Sequence, residues 1–77
     1  MCNVRLLDIP IGHNATVDKI LNKGSIRRRL LDIGLTPGTV IEKVMVNPGN
    51  NLIAYMIRGA LIAIRNEDSS NILVREL

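Results

Sequence analysis

Two apolar segments of strand length stand on either side of Gly59, and they constrain the fold more than any other feature of the sequence. They are Leu52–Arg58 and Ala60–Arg65, and the glycine between them predicts a tight reversal. A strand that is half exposed to water alternates apolar with polar residues, whereas these strands are apolar on both faces. Both faces therefore need cover, from the helix and the N-terminal segment, from another subunit or from a partner protein.

Turn-forming residues divide the rest of the chain into further short elements. Strands are predicted at Ala15–Leu21, Thr39–Val46 and Ile72–Glu76, and Arg5–Pro10 reads as a short lead-in or edge piece. The predicted connections are a hairpin loop at Asn47–Asn51, a type II turn at Thr36–Thr39 with Pro37 and Gly38 at its centre, and one helical turn at Asn66–Ser70 capped by Asn66.

One short helix is predicted after Gly24. Ser25 is a plausible N-cap, and Ile26, Leu30 and Ile33 recur at a spacing that places them on one face. Gly34 fits the left-handed residue that ends a helix, which allows Leu35 to fold back onto Leu30 in a Schellman motif. About nine residues form a marginal helix in isolation, so packing must hold it.

Short strands joined by turns, with a single brief helix, favour a mainly β fold. The expectation is one domain over residues 1–77, built as a small, partly open barrel of five to six short strands, because closure removes the hazard of exposed strand edges.

Positive charge is concentrated in one part of the chain. The formal net charge is +3, yet five of the ten basic residues lie between Lys19 and Arg29 with no acidic residue among them. Such a local cluster suits a docking surface for an acidic partner, and a plain solvated helix face is the alternative.

Catalytic and metal-binding constellations are missing from the sequence. It carries no glycine-rich phosphate loop, and His13 is its only histidine. Cys2 and His13 together fall short of the four ligands of a structural zinc site, although weak metal binding there stays open. No serine stands in a nucleophile elbow. The sequence predicts a protein that is not an enzyme and needs no cofactor.

Nucleic-acid binding is the rival function, since arginines can neutralise phosphates. Tyr55 is the only aromatic residue, which leaves almost none of the stacking surface that single-strand binders use. The lone Cys2 and the lack of a signal-peptide pattern favour a reducing, cytoplasmic setting. No apolar run reaches the length of about 20 residues that spans a bilayer.

The run RRRLLDIGLTPGT, followed by a hairpin, then Arg58-Gly59, ALIAIR and a closing ILV strand, resembles the ferrous iron transport protein A (FeoA) family. The resemblance begins at about Leu6 and covers nearly the whole chain. Ile33 stands where the family often has Met, and Ala60 and Leu61 stand where it often has bulkier or polar residues. The family implies an SH3-like small barrel without a cofactor. The same fold serves as an interaction module in iron-dependent repressors.

The resemblance also implies a cytoplasmic accessory protein of the membrane ferrous iron transporter FeoB. The alternatives are a nucleic-acid-binding or repressor-type interaction module and, third, a direct carrier of ferrous iron. The predicted partner contacts are Arg27, Arg28 and Leu31 on the helix and Met56 and Leu61 on the sheet. Gly34, Pro37, Gly38 and Gly59 are predicted to fix turns. Whether the protein forms a homo-oligomer stays open, and no membrane insertion is expected.

Overall fold

The chain alternates short strands with tight connections in a computed structural model that describes residues 3–47, 49 and 51–77. Its elements, in chain order, are β1 (Val4–Arg5), a 3₁₀ turn (Leu6–Asp8), β2 (Asn14–Ile20), α1 (Gly24–Asp32), β3 (Val40–Asn47), β4 (Leu52–Ile57), β5 (Ala60–Arg65), α2 (Asn66–Ser69) and β6 (Ile72–Glu76).

The six strands form one antiparallel sheet in the order β1-β6-β2-β3-β4-β5. The principal dimensions of 29 × 26 × 23 Å are nearly equal, as expected when a sheet curls around its own core. Register shifts bend β2 between Val17 and Lys19 and β3 between Lys43 and Met45. The predicted mainly β, partly open barrel with one short helix is confirmed.

The core is aliphatic and has a single aromatic side chain at its centre. Every strand except β1 contributes fully buried residues, and the N-terminal segment closes one end with Leu6 and Ile9. The buried apolar set comprises Leu6, Ile9, Ala15, Val17, Ile20, Leu30, Leu35, Ile41, Ile53, Tyr55, Ile57, Ile64, Ile72 and Val74.

The start of α1 differs from the prediction. Lys23, in an extended conformation, stands at the N-cap, no side chain caps the helix, and Ser25 lies within its first turn. Ile26 is 44% exposed and Ile33 is half-buried, so Leu30 alone of the predicted stripe is buried. The assignments of Ser25 as cap and Ile26 as core residue were wrong. The helix therefore packs into the core near its C-terminal end, through Leu30.

The end of α1 follows the prediction closely. Leu35 donates its backbone N–H to the carbonyl of Leu30 at 3.1 Å, and Gly34 donates to Leu31 at 3.1 Å. These two bonds define a Schellman motif, and the φ of +104° at Gly34 supplies the left-handed residue it needs. Leu30 and Leu35 are both buried. The helix therefore stops where the sequence indicates.

A two-residue turn joins β4 to β5. Ile57 and Ala60 are register partners, so Arg58 and Gly59 alone connect β4 to β5. Their φ values of +51° and +82° are those of a type I′ turn, whose twist matches the strands it joins. The predicted return strand to Arg58 therefore ends one residue early, because Arg58 belongs to the turn.

The N-terminal segment is tied to the sheet by an unexpected lysine. Lys43, 7% exposed, donates its ammonium to the carbonyl of Leu7 at 2.9 Å. Beside it, Arg5 donates to the Asp8 carboxylate at 2.8 Å, and this hydrogen bond lowers the pKa of Asp8 below its ordinary value. The predicted lead-in is thus an edge strand followed by an anchored 3₁₀ turn.

The short helix α2 supports the core from the other end. Its position matches the predicted turn, but Arg65 stands at the N-cap and Asn66 lies within the helix, so the capping role given to Asn66 was wrong. Ser69, fully buried, accepts a hydrogen bond from the hydroxyl of Tyr55 at 3.2 Å. This contact joins β4 to α2.

The buried phenol of Tyr55 predicts a loss of stability in strong alkali. Burial raises the pKa of Tyr55 to about 12, above the value of about 10 in an unfolded chain. The folded state therefore keeps the proton longer than the unfolded state does. The contribution of Tyr55 to stability should be constant below pH 10 and should fall between pH 10 and 12, by on the order of 2 kcal/mol in total.

Tyr55→Phe is the matched variant. It should cost about 1 kcal/mol at neutral pH through the lost hydrogen bond, and it should remove the Tyr55 part of the alkaline decline. Because Tyr55 is the only tyrosine, phenolate absorbance reports its ionisation directly. Phenolate formation near pH 10 in the folded protein would contradict the expectation.

Candidate docking surfaces

An apolar patch lies on the outer face of the β3-β4-β5 sheet, beside the exposed Glu42, which is the β3 register partner of Met56. Met56 and Leu61 are register partners, as are Ala54 and Ala63, and Met45 pairs with Ala54 on the other side. Leu61 is 57% exposed, Met45 53% and Met56 37%, and Ala63 is exposed as well. We call these five apolar residues the sheet patch.

The sheet patch is the second apolar face that the sequence indicated. The inner face of β4 carries Ile53, Tyr55 and Ile57, all buried, whereas Met56 on its outer face stays exposed. Neither the helix nor the N-terminal segment covers it. The first of the three alternatives, cover by the helix and the N-terminal segment, is therefore wrong for this face. Within the described residues, nothing covers it.

The helix lies beside the edge of the sheet, and a groove separates the two. The groove has a volume of about 760 Å³, with Ile26, Arg29, Leu30 and Ile33 on its helix wall and the acidic residues Glu67 and Asp68 from α2 in its lining. Leu52 and Ala63 line the opposite wall, which belongs to β4 and β5. Because Ala63 belongs to both, the groove and the sheet patch form one continuous surface.

Arg27 and Arg28 of α1 lie on a different surface, whereas Arg29 lines the groove. Arg27, Arg28 and Leu31 line a shallow concavity with Gly24 and Asp32, and the groove shares none of these residues. Arg27 donates to the carbonyl of Ile20 at 2.7 Å, so it ties the helix to the end of β2. Arg28 makes no side-chain hydrogen bond or ion pair with the described residues. The five predicted contact residues therefore divide between two surfaces.

Sequence reasoning missed the residue that joins these surfaces. Arg58 lies over Gly34, and its guanidinium donates to the Gly34 carbonyl at 3.4 Å and to the hydroxyls of Thr36 and Thr39 at 3.3 and 3.4 Å. Thr39 donates to the Gly34 carbonyl at 2.9 Å. We call these four residues the arginine clasp. The sequence signal for this contact was the Arg58-Gly59 pair at its distance from the Gly34–Thr39 segment, but a distance along the sequence does not by itself reveal a contact.

The structure does not test the weak metal site considered at Cys2 and His13. Cys2 lies outside the described residues. His13 is exposed, and its Nδ1 lies 3.2 Å from a carboxylate oxygen of Glu76. Among residues 3–47, 49 and 51–77, no three His, Cys, Asp or Glu side chains come together as metal ligands, and no helix is long and apolar enough to cross a membrane.

Comparison with known proteins agrees with the sequence resemblance. The model of the FeoA domain family matches residues 4–76. The chain is similar to the Fe(2+) transport protein A/Fe(2+) transporter FeoB fusion protein of Porphyromonas gingivalis, with 28% identity over 71 residues. That match covers 92% of this chain but 8% of the fusion protein, so the chain spans a small part of this relative's length.

Solved structures show the same fold. A crystal structure described as iron uptake regulatory protein (FeoA) matches with a TM-score of 0.84 and 30% identity over the full length of both chains. FeoA of Stenotrophomonas maltophilia, complexed with zinc and described as an SH3 domain protein, matches with a TM-score of 0.80 and 20% identity, covering 92% of this chain and 88% of that one. The predicted SH3-like architecture is confirmed.

The arginine clasp predicts that two glycines of similar backbone conformation differ in their tolerance of a side chain. A Cβ at Gly34 would lie 2.8 Å from Cδ of Arg58, whereas one at Gly38 would meet nothing within 4 Å; their φ values are +104° and +92°. Gly38→Ala should cost about 1–2 kcal/mol from backbone strain alone, and Gly34→Ala should cost about 1 kcal/mol more.

Chemical denaturation of both variants measures this difference. Adding Arg58→Ala to Gly34→Ala should cost less than Arg58→Ala costs by itself, because the crowding has already disturbed the clasp. Equal destabilisation by the two glycine variants would mean that Arg58 moves aside without a cost in free energy. The arginine clasp would then have no role in holding the end of α1.

Proposed function

Because this chain belongs to the FeoA family, we propose that it is a non-enzymatic accessory protein of ferrous iron uptake that docks on the cytoplasmic part of a FeoB-type transporter. The match to the family model over residues 4–76 supports the role in ferrous iron transport. The proposal adds the partner, the side of the membrane and the surface of contact.

The fusion protein of Porphyromonas gingivalis supports the choice of partner. Its name joins an Fe(2+) transport protein A to a transporter FeoB in one polypeptide. Covalent linkage keeps two modules at high effective concentration, which favours contacts that are weak between separate chains.

The sheet patch is the observation that carries the proposal. Adjacent exposed Met and Leu side chains are typical of protein-protein contact, and flexible Met side chains adapt to a partner's shape. Met56 and Leu61 pair across two strands, so a partner would meet them together. We assign the transporter to this patch and not to Arg27 and Arg28, which lie on another surface.

Substitution of the patch tests the assignment. Met56→Ser with Leu61→Ser should weaken binding to the transporter's isolated cytoplasmic domain by at least about tenfold, as expected for central apolar contacts. Isothermal titration calorimetry measures the affinity, and thermal unfolding checks that the variant is folded.

Ile11→Ser is the matched control, because Ile11 is 57% exposed like Leu61 but does not belong to the patch. It should leave the affinity unchanged. If the double variant binds as tightly as the wild type, the patch is not the docking site. If the wild type itself does not bind, the proposed partner is wrong.

A further inference from the structure

Five cations lie between the end of β2 and the middle of α1 without an ion pair to any acidic residue that the structure describes. The side chains of Lys19, Lys23, Arg27, Arg28 and Arg29 are all exposed. In the part of the chain that the structure describes, no carboxylate oxygen lies within 4.0 Å of their nitrogens. Arg5, Arg65 and Arg75, by contrast, are each paired with a carboxylate.

The fold, and not only the sequence, groups these cations. The hydrogen bond from Arg27 to the Ile20 carbonyl holds the first turns of α1 against the end of β2. Lys19 and Lys23 therefore lie beside the arginines of the helix. We call the surface of Lys19, Lys23, Arg27 and Arg28 the basic face; Arg29 lines the groove and does not belong to it.

Acidic residues offset little of this charge. Asp32 shares the concavity of Arg27 and Arg28, without an ion pair to either. Asp18 precedes the cluster, and its carboxylate faces Arg75 at 3.7 Å and Asn3 at 2.6 Å. When a negatively charged surface comes within a Debye length, the cations of the basic face therefore attract it together, because few carboxylates neutralise them.

Apolar side chains accompany the cations. Leu21 is 48% exposed directly after the strand end that Arg27 contacts, and Leu31 is half-buried in the concavity. Cations interleaved with accessible Leu side chains are the pattern of surfaces that lie on bilayers, where headgroups meet the charge and the acyl boundary accepts the apolar groups.

We propose that the basic face binds the anionic headgroups of a lipid bilayer as a peripheral contact. A nucleic acid fits less well, because Tyr55 is the only aromatic residue and is fully buried, so no aromatic ring is available to stack on bases. The proposal is independent of the proposed function: it concerns a separate surface and requires no transporter.

Vesicle binding tests the proposal with the full chain. Sedimentation should show binding to vesicles of phosphatidylcholine with about 30% phosphatidylglycerol and none to phosphatidylcholine alone, with the binding lost as salt is raised. Lys23→Gln with Arg28→Gln should weaken partitioning by about 30-fold, since each cation near the surface contributes about fivefold.

A second double variant controls for net charge. Arg5→Gln with Arg65→Gln removes the same two charges from other surfaces and should stay within about threefold of the wild type. Lys23→Arg with Arg28→Lys retains the charge and should retain binding, which separates a charge effect from a folding defect.

Three outcomes would overturn the proposal. The first is an absence of binding to anionic vesicles at low salt. The second is an equal loss in both charge-removing variants, which would indicate attraction by net charge alone. The third is tighter binding to a short DNA duplex than to the vesicles in the same buffer, which would assign the basic face to nucleic acid.

Discussion

The contact between the Arg58 guanidinium and Gly34 determines how the two proposed surfaces are arranged. Arg58 sits in the turn that ends β4, and Gly34 ends α1, so one side chain connects the element that carries the sheet patch to the element that carries the basic face. Its hydrogen bonds are long, at 3.3 to 3.4 Å, but three of them converge on one planar group that always carries its charge. Gly34 makes the approach possible because a side chain there would collide with it.

The clasp also accounts for the uncovered face of the sheet. Held at its C-terminal end to the β4–β5 turn, α1 lies along the edge of β5 and forms the groove there, instead of lying across the outer face. Leu30 packs into the core, while Ile26, one turn earlier, reaches only the groove. A nine-residue helix cannot seal both the edge and the face of the sheet. The exposed Met and Leu residues are therefore a consequence of how the helix is attached.

Local chemistry made much of this fold predictable, and tertiary contacts account for the rest. The Schellman motif and the type II turn depend on residues that are neighbours in sequence, and both were predicted at Gly34 and Gly38. Ser25 and Asn66 have good capping chemistry, yet the chain enters each helix one or two residues earlier than their patterns suggested. The contact of Arg27 with Ile20 and that of Lys43 with Leu7 join segments that are distant in the sequence, and no spacing rule identifies them.

The division into two surfaces separates two kinds of interaction that respond differently to solution conditions. Burial of the sheet patch would be driven by removal of apolar area from water, which salt does not weaken. Attraction at the basic face falls off over a Debye length, about 8 Å at physiological ionic strength. The sheet patch would bind the transporter, and the basic face would bind the bilayer in which the transporter is embedded. Two weak contacts that are made simultaneously in this way reinforce each other. A small domain with one surface of each kind can thus be held at a membrane protein without a strong interface on either side. The rigid clasp between the two surfaces sets the angle at which both contacts must be made.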